Sequence, residues 1–338
     1  MRVSIKDIAR AAGVSHPTVS RALSDSPLIN RETKARIQRL AREMGYSPNA
    51  LARGLVTRQT YSVGVVVTTL ADPFVAEIVQ GIEATAHDHG YAVVLSTCGA
   101  VPEREISAVE MLRSKRVDGV IVTASRIGAL YLEHLERVGV PIVLINNQNE
   151  QSGRYTFTVT VDNRHGGKLA AGHLVKLGHR RIAYVSGPAN HSSDLDRQAG
   201  YRQALLEGGI EPQPALVVPG NGRPSGGEQA LARLLSVNER PTAVFCYNDM
   251  TAIGLVHAAR QAGLAVPRDV AVVGFDDILF ASYLYPPLTT VAQPRVEMGE
   301  RAMGMMLSLI LGRENGAEEP PIIVVQGKLI VRASTVGD

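Results

Sequence analysis

Residues 4–23 read SIKDIARAAGVSHPTVSRAL. Ser4 and Asp7 are spaced as a capping box, and Ile5, Ile8, Ala9 and Ala12 follow at helical intervals. Gly13 is suited to close that helix in a left-handed cap. Ser15 can cap a second helix, with Pro17 in its first turn, where a missing N–H costs little. Val19, Ala22 and Leu23 form a narrow buried stripe, and His16, Pro17, Ser20 and Arg21 share the opposite face. Two short helices about a tight turn, the second with a polar outer face, have helix-turn-helix dimensions. Such side chains reach base edges in a major groove, and Arg21 can engage guanine with two donors.

Downstream, Asn30 can cap a third helix, with Ile37, Leu40, Ala41 and Met44 on one face and Gly45 at its end. Ser47-Pro48 opens a short segment running through Leu55. Nine residues are too few for a stable helix in water, since nucleation is costly. With Ala50, Leu51 and Ala52 inside and Leu55 one turn after Leu51, it is suited to order only when something buries it; a fraying linker is the plain alternative. Val56 to Thr60 reads as linker. Residues 1–60 hold eleven Lys and Arg against four Asp and Glu, a net of +7, and the rest hold 24 against 28, a net of −4. A basic head before a mildly acidic body suggests a polyanion partner, although a three-helix bundle is also a common protein-contact scaffold.

From Tyr61 the texture changes. Apolar runs at Ser62–Val67, Ala92–Ser96, Gly119–Thr123, Ile142–Ile145, Ile182–Val185, Ala243–Tyr247 and Val270–Phe275 read as parallel strands buried on both faces. Helical patterns alternate with them at Val75–His89, Glu103–Lys115, Gly166–Leu177, Arg197–Glu207 and Thr251–Ala262. The alternation predicts a doubly wound α/β fold with right-handed crossovers. KRVDGVIVT (115–123) and GVPIVLINN (139–147) echo RPTAVFCYN (240–248) and DVAVVGFDD (269–277), which points to two similar lobes. Ile322–Val331 alternates as one further strand.

Ligands of open parallel sheets bind beyond the carboxyl ends of strands. Those ends carry Thr69, Asp72 and Phe74, then Ser125, Asn146 and Asn147, then Asn248 and Asp249, then Asp276 and Asp277. Hydroxyl, amide and carboxylate groups with one ring are the groups that chelate adjacent hydroxyls and cover an apolar sugar face. Catalytic and metal signatures are weak. GNGRPSGG (220–227) lacks dinucleotide-loop spacing, and Gly166-Gly167-Lys168 has no upstream glycine at the phosphate-loop offset. His87 and His89 point to different faces of a helix. No cofactor, no metal and no enzymatic activity is expected. The 338 residues are 45% hydrophobic and 20% charged, with no run long enough to span a membrane. Cys98 and Cys246 lack metal or disulfide spacing, and the first residues carry no apolar leader. The expected location is cytoplasmic.

Ile5-Lys6-Asp7-Ile8-Ala9, Gly13-Val14-Ser15, Thr18 through Leu23, and Gly45-Tyr46-Ser47-Pro48-Asn49-Ala50 resemble the head of the lactose-repressor (LacI/GalR) family. The similarity continues through the body to about Arg332. It implies a two-lobed, periplasmic-binding-protein-like body behind a helix-turn-helix head. It implies that His16, Pro17 and Arg21, flanked by Ser15, read an operator's major groove, with Thr18, Ser20 and Asn30 among the backbone contacts. It also implies hinge helices paired in the minor groove, carrying Asn49 and Ala52, with Leu55 matching the family's wedging leucine. In the body, Arg197, Asn248 and Asp276 match the effector-binding arginine, asparagine and aspartate. His191 and Ser193 match contact positions, Asn146 stands where many members carry aspartate, and Gln293 lies near the lobe crossover. Gly222 replaces an aromatic stacking residue of several members and the chain has no Trp, so Phe74 or Tyr247 would form the platform.

The expected protein is a homodimeric transcriptional repressor on palindromic operator DNA. Residues 1–46 form the DNA-binding domain, 47–60 the hinge, and 61–338 the effector-binding and dimerisation domain. Lobe 1 is expected at about 61–161 and 292–321, and lobe 2 at about 162–291 and 322–338. The expected effector is a sugar, polyol or sugar derivative. A purine-responsive regulator of the same family and a solute-binding protein of sugar transport are the alternatives.

Overall fold

The computed structural model describes residues 3–46, 59–123, 139–146, 156–189, 191–312 and 322–337. The expected hinge positions Asn49, Ala52 and Leu55, and the strand-end residues Ser125 and Asn147, lie outside them. The chain divides into two compact units, 1–60 and 61–338.

In the first unit, α1 (Ile5–Ala12), α2 (His16–Leu23) and α3 (Arg31–Glu43) enclose a small core of Ile8, Ala9, Ala12, Val19, Ala22, Ile37 and Ala41. Asp7 accepts hydrogen bonds from the Ser4 N–H at 3.0 Å and the Ser4 hydroxyl at 2.6 Å, tying down the first turn. Gly13 takes φ 60°, a left-handed cap that turns the chain into α2. Asn30 Oδ1 accepts from Thr33 N–H at 2.8 Å and starts α3.

The second unit contains two six-stranded sheets among the described residues. The first holds β1 (Ser62–Val67), β2 (Ala92–Thr97), β3 (Gly119–Thr123), β4 (Ile142–Ile145), β5 (Thr156–Val161) and β11 (Ile322–Val325), in the order β11-β5-β4-β3-β1-β2 and all parallel. The second holds β6 (Ile182–Val185), β7 (Val217–Val218), β8 (Ala243–Cys246), β9 (Ala271–Asp276), β10 (Thr289–Ala292) and β12 (Lys328–Ile330), in the order β12-β10-β9-β8-β6-β7. Its only antiparallel pairing among the described residues is β10 with β12. The central strands are buried along their whole length, as expected of a parallel sheet under helices on both sides.

Helices cover both faces of each sheet. In the first lobe α4 (Pro73–Asp88) and α11 (Arg295–Ile310) pack on one face with Val65, Ile121 and Met303, and α5 (Pro102–Ser114) packs on the other with Val66, Val120 and Leu112. In the second lobe α6 (Asn163–Lys176) and α7 (Ser192–Glu207) cover Tyr184, Phe245 and Phe275, while α8 (Pro224–Ser236) and α9 (Asp249–Gln261) cover Val244, Val272 and Leu288. Each such buried side chain contributes roughly 1.5–3 kcal/mol. The short helices α10 (Leu279–Tyr283) and α12 (Ala333–Val336) complete the lobe.

Three helix pairs cross on reciprocal glycines: Gly81 with Gly299, Gly167 with Gly200, and Gly227 with Gly254. At each, an added Cβ would strike the partner helix's backbone, so the pairs sit backbone on backbone. This accounts for Gly167 and for Gly227, the last glycine of GNGRPSGG, whose PSGG opens α8 rather than forming a loop; Gly166 instead faces the Phe275 ring and Gly226 faces Asn221.

The tail departs from expectation. Ile322–Val331 is two strands, β11 beside β5 in the first sheet and β12 beside β10 in the second, with Gln326-Gly327 between them. Residues 322–325 therefore belong with the first lobe, and the second lobe runs through Ala292. An alternating pattern records which faces are apolar but not which sheet accepts the edge. The chain passes between lobes after Val161, after Ala292 and after Val325.

Candidate DNA-reading face and effector cleft

In the head, Ser15 caps α2 by accepting from Thr18 N–H at 3.4 Å, and the two hydroxyl oxygens lie 2.8 Å apart. Val19 and Ala22 are fully buried. The helix is thereby rotated so that His16, Pro17, Ser20 and Arg21 are exposed, with Thr18 half-buried beside them. His16 and Ser20, and likewise Pro17 and Arg21, are one turn apart and form a continuous outer face. Ser15 and Asn30 are exposed at the helix starts they cap. This face presents side-chain donors and acceptors with no competing ion pair at Arg21 among the described residues.

In the body, the carboxyl ends of both sheets face one cavity of about 200 Å³. All eight body residues singled out from the sequence line it: Phe74, Asn146, His191, Ser193, Arg197, Asn248, Asp276 and Gln293. Phe74 comes from the first turn of α4, directly after Asp72, whose carboxylate accepts the Phe74 N–H at 3.0 Å. Asn146 follows β4 and sits at φ 56°, a left-handed conformation that aims its amide from the strand end. From the other lobe, His191 and Ser193 start α7 and Arg197 lies one turn on.

Arg197 is the best-anchored member. Only 4% exposed, it donates from Nε to Asn163 Oδ1 at 2.9 Å and from Nη1 to the Tyr247 carbonyl at 2.7 Å. Its guanidinium lies 3.6 Å from the centre of the Phe275 ring and 4.7 Å from that of Tyr247. Nη1 is 3.9 Å from Asp276 Oδ1. Asp276 also accepts from Gln293 Nε2 at 2.6 Å. Burial pushes the Asp276 carboxyl up to about 7; Arg197 opposes the rise and Asp72, across the cleft, adds to it. The ion pair is too long to offset desolvation, so burial wins. Burial raises the Asp72 carboxyl as well.

Two acceptors are left over. Asn146 Oδ1 and Gln293 Oε1 are buried and have no hydrogen-bond partner among the described residues. Buried unpaired oxygens are costly, and both belong to cavity-lining side chains. A ligand with two or more hydrogen-bond donors would satisfy them. The apolar wall is made by Phe74, Pro188 and Tyr247, and Gly222 faces the last two: a Cβ there would lie 3.6 Å from each. Tyr247, Ser193 and His191 are linked, with Ser193 Oγ 3.0 Å from Tyr247 Oη and 2.9 Å from His191 Nδ1. Asn248 is partly committed to structure: Oδ1 caps α9 through Thr251, and Nδ2 donates to the Gly222 carbonyl at 3.1 Å.

Two strand-end residues do not line the cavity. Asp249 is fully buried, accepting from Thr290 Oγ1 at 2.6 Å and Ile278 N–H at 2.9 Å, and burial holds its carboxyl well above the usual range. Asp277 pairs with Arg332 at 2.7 Å. Asn163 is the contact that the sequence reading missed: it follows β5, a strand whose threonines hide it, and it bears on the site by holding Arg197. Among the described residues no cluster of His, Cys, Asp or Glu is arranged to hold a metal, and no helix is long and apolar enough to cross a membrane.

Comparison with known proteins places these features in context. Residues 4–49 match the family described as bacterial regulatory proteins, lacI family, and residues 171–335 match a periplasmic binding protein-like domain. The chain is 35% identical over 332 residues to the HTH-type transcriptional repressor PurR of Edwardsiella ictaluri (strain 93-146), covering 98% of this chain and 96% of that one. Its structure is similar to that of the lac repressor dimer bound to operator and the anti-inducer ONPF, with a TM-score of 0.88, 29% identity and 100% of both chains covered. It is also similar to the complex of the transcriptional regulator CelR with cellobiose, with a TM-score of 0.75, 32% identity and coverage of 98% of this chain and 100% of that one.

Proposed function

The chain belongs to the lacI family of bacterial regulatory proteins and is a DNA-binding transcriptional repressor with a ligand-binding body; we propose that its effector is a single-ring polyol or sugar derivative held by Arg197, Asp276, Gln293 and Asn146. The observation that carries this reading is the pair of buried oxygens on Gln293 and Asn146 that have no partner among the described residues, in a cavity also lined by a carboxylate and an apolar wall. Neighbouring hydroxyls donate to such acceptors while the ring's apolar face lies on Phe74 or Tyr247. A cavity of about 200 Å³ has room for one ring.

A second reading follows from the 35% identity to PurR: a purine or nucleoside, whose N–H groups would satisfy the same oxygens. Its stacking partners would be Tyr247 and Phe74, with no side chain at Gly222 to complete a sandwich.

On the DNA side, His16, Pro17 and Arg21 are assigned to base edges, and Ser15, Thr18, Ser20 and Asn30 to the backbone. The segment with Asn49, Ala52 and Leu55 is assigned to the hinge. A homodimer would present two heads to a palindromic site. Exposed apolar side chains suited to a body–body face are concentrated at Leu279, Phe280, Tyr283 and Tyr285, exposed by 61, 54, 78 and 79%. A cytoplasmic setting follows from a DNA partner.

The test is a thermal-shift screen of the full chain against monosaccharides, polyols, sugar phosphates, nucleosides and purines, followed by duplex binding with any compound that scores. A ligand that binds only the native state raises the melting temperature. The reading expects one chemical class to do so and to change affinity for a selected palindrome. A chain that prefers no duplex over competitor DNA at moderate salt overturns it.

A further inference from the structure

The second crossover between lobes passes through Gln293, Pro294 and Arg295, and it grips the end of β9 twice. Gln293 Nε2 donates to Asp276 Oδ1 at 2.6 Å, and Arg295 Nη2 donates to the Asp277 carbonyl at 2.8 Å. Both aspartates have positive φ, 116° and 55°, where an L side chain is strained and holds only if its surroundings enforce it. Asp277 is held from both lobes: its carboxylate pairs with Arg332 of the second, and its carbonyl accepts from Arg295 of the first.

Arg295 has a second contact. Its Nε donates to Glu77 Oε2 at 2.9 Å, with the arginine side chain 10% and the glutamate side chain 32% exposed. Glu77 stands on α4 one turn after Phe74 and Asp72, both of which line the cleft. α4 and α11 cross on Gly81 and Gly299 with no side chain between their backbones, so Glu77 fixes the Arg295 guanidinium to the frame of the first lobe. One planar guanidinium therefore links the peptide next to Asp276 to the helix that forms the opposite wall.

We propose that Arg295 is a positioning residue that couples the lobes, transmitting the state of the Asp276–Asp277 turn to α4 through Glu77. The proposal rests on the effector-responsive reading above and adds the residue that links occupancy to lobe geometry. Arg295 touches no cavity space itself and acts through Asp277 and Glu77. A fork of fixed donors suits this task better than a lysine's single ammonium.

The experiment needs neither effector nor operator. Nitroxides are placed on exposed positions of the full chain through Arg113→Cys in the first lobe and Arg233→Cys in the second. Native Cys98 and Cys246, 2% and 0% exposed, are shielded from the label. The lobe–lobe distance distribution is then read by pulsed dipolar spectroscopy alongside the melting temperature. Arg295→Met is expected to broaden the distribution clearly, Glu77→Gln less, and Arg295→Lys to an intermediate degree, while the melting temperature moves by only a few degrees. A merely structural ion pair would lower the melting temperature and leave the distribution unchanged, and that result in Arg295→Met and Glu77→Gln overturns the proposal. Should Arg295→Met fail to fold, Glu77→Gln and Arg295→Lys decide by the same criterion. Duplex selection by the unsubstituted chain tests the parent reading separately, so a failure of one is not mistaken for a failure of the other.

Discussion

On the second lobe's side of the cleft the polar groups are already engaged. Arg197 is bonded to Asn163 and Tyr247 and stacked on Phe275, Ser193 is linked to Tyr247 and His191, and Asn248 caps a helix. On the first lobe's side and at the crossover, Asn146 and Gln293 hold buried oxygens with no partner among the described residues. One wall is preorganised and the other is unfinished. A ligand docking on the preorganised wall loses little to side-chain ordering, and the unfinished wall gains most when the ligand arrives. On the reading proposed above, that asymmetry predicts an order of contact: the second lobe first, then the first.

The sharpest way to break this comparison is Arg197→Met. Removing the guanidinium leaves Asn163 Oδ1 and the Tyr247 carbonyl without their charged donor and empties the face of Phe275, and the expected loss is about 3–5 kcal/mol. Calorimetry of the full chain should show that loss together with abolished effector response, while the isolated recognition of a selected duplex by the heads is retained. A variant of native stability that still responds would mean that the wiring of this wall is incidental.

Next in size is the proton on Asp276. Its carboxyl titrates near 7 in the folded chain against an ordinary 3.8, so the folded state binds the proton more tightly. The resulting stabilisation is fully present below the unfolded value and is lost as pH rises through about 7. Asp276→Asn should flatten that part of the stability profile between pH 4 and 8, measured as the difference from the unsubstituted chain. A ligand donating hydroxyls to the carboxylate should bind more tightly as pH rises through 7, and this dependence should vanish in the same variant.

Arg21→Ala carries the comparison to the head, where Arg21 is exposed on the reading face. Loss of about 1–3 kcal/mol at one base pair of the selected palindrome, with little change elsewhere, is expected in a competition series. Uniform weakening across all sequences would place Arg21 on phosphate instead. Smallest is Asn146→Gly, which keeps the left-handed backbone at φ 56°. Because the Asn146 oxygen has no partner among the described residues, stability should hold within about 1 kcal/mol, while effector affinity falls roughly tenfold. Equal losses in stability and affinity would show that Asn146 is part of the scaffold.

How far the sequence could be read depended on whether burial left an apolar trace. Val63–Val67, Val120–Val122 and Ile142–Ile145 are buried on both faces and read as strands at once. Thr156–Val161 and Thr289–Ala292 escaped because threonine interrupts them, although Thr158, Thr289 and Thr290 are buried. Their hydroxyls are matched by distant groups: Thr289 donates to the Arg332 carbonyl and Thr290 to Asp249. No local pattern announces such pairings. The helix at Arg295–Ile310 hid behind Pro294, and the one at Pro224–Ser236 behind its glycines. For the cleft, the strand-end rule brought the right residues forward but could not separate Asp276 from Asp277 and Asp249. Which of the two adjacent aspartates turns toward the cavity is decided by their positive φ values, 116° and 55°, which distant contacts hold and no local pattern records.

The three chain passages between lobes, after Val161, Ala292 and Val325, have a mechanical consequence. Two solid pieces joined by a single thread can tumble freely; joined at three places they are left with little more than one angle. On the reading proposed above, a molecule that enters the gap acts by setting that angle. On the same reading, a compound too bulky to let the two pieces approach is expected to oppose the effect of the natural ligand on DNA binding.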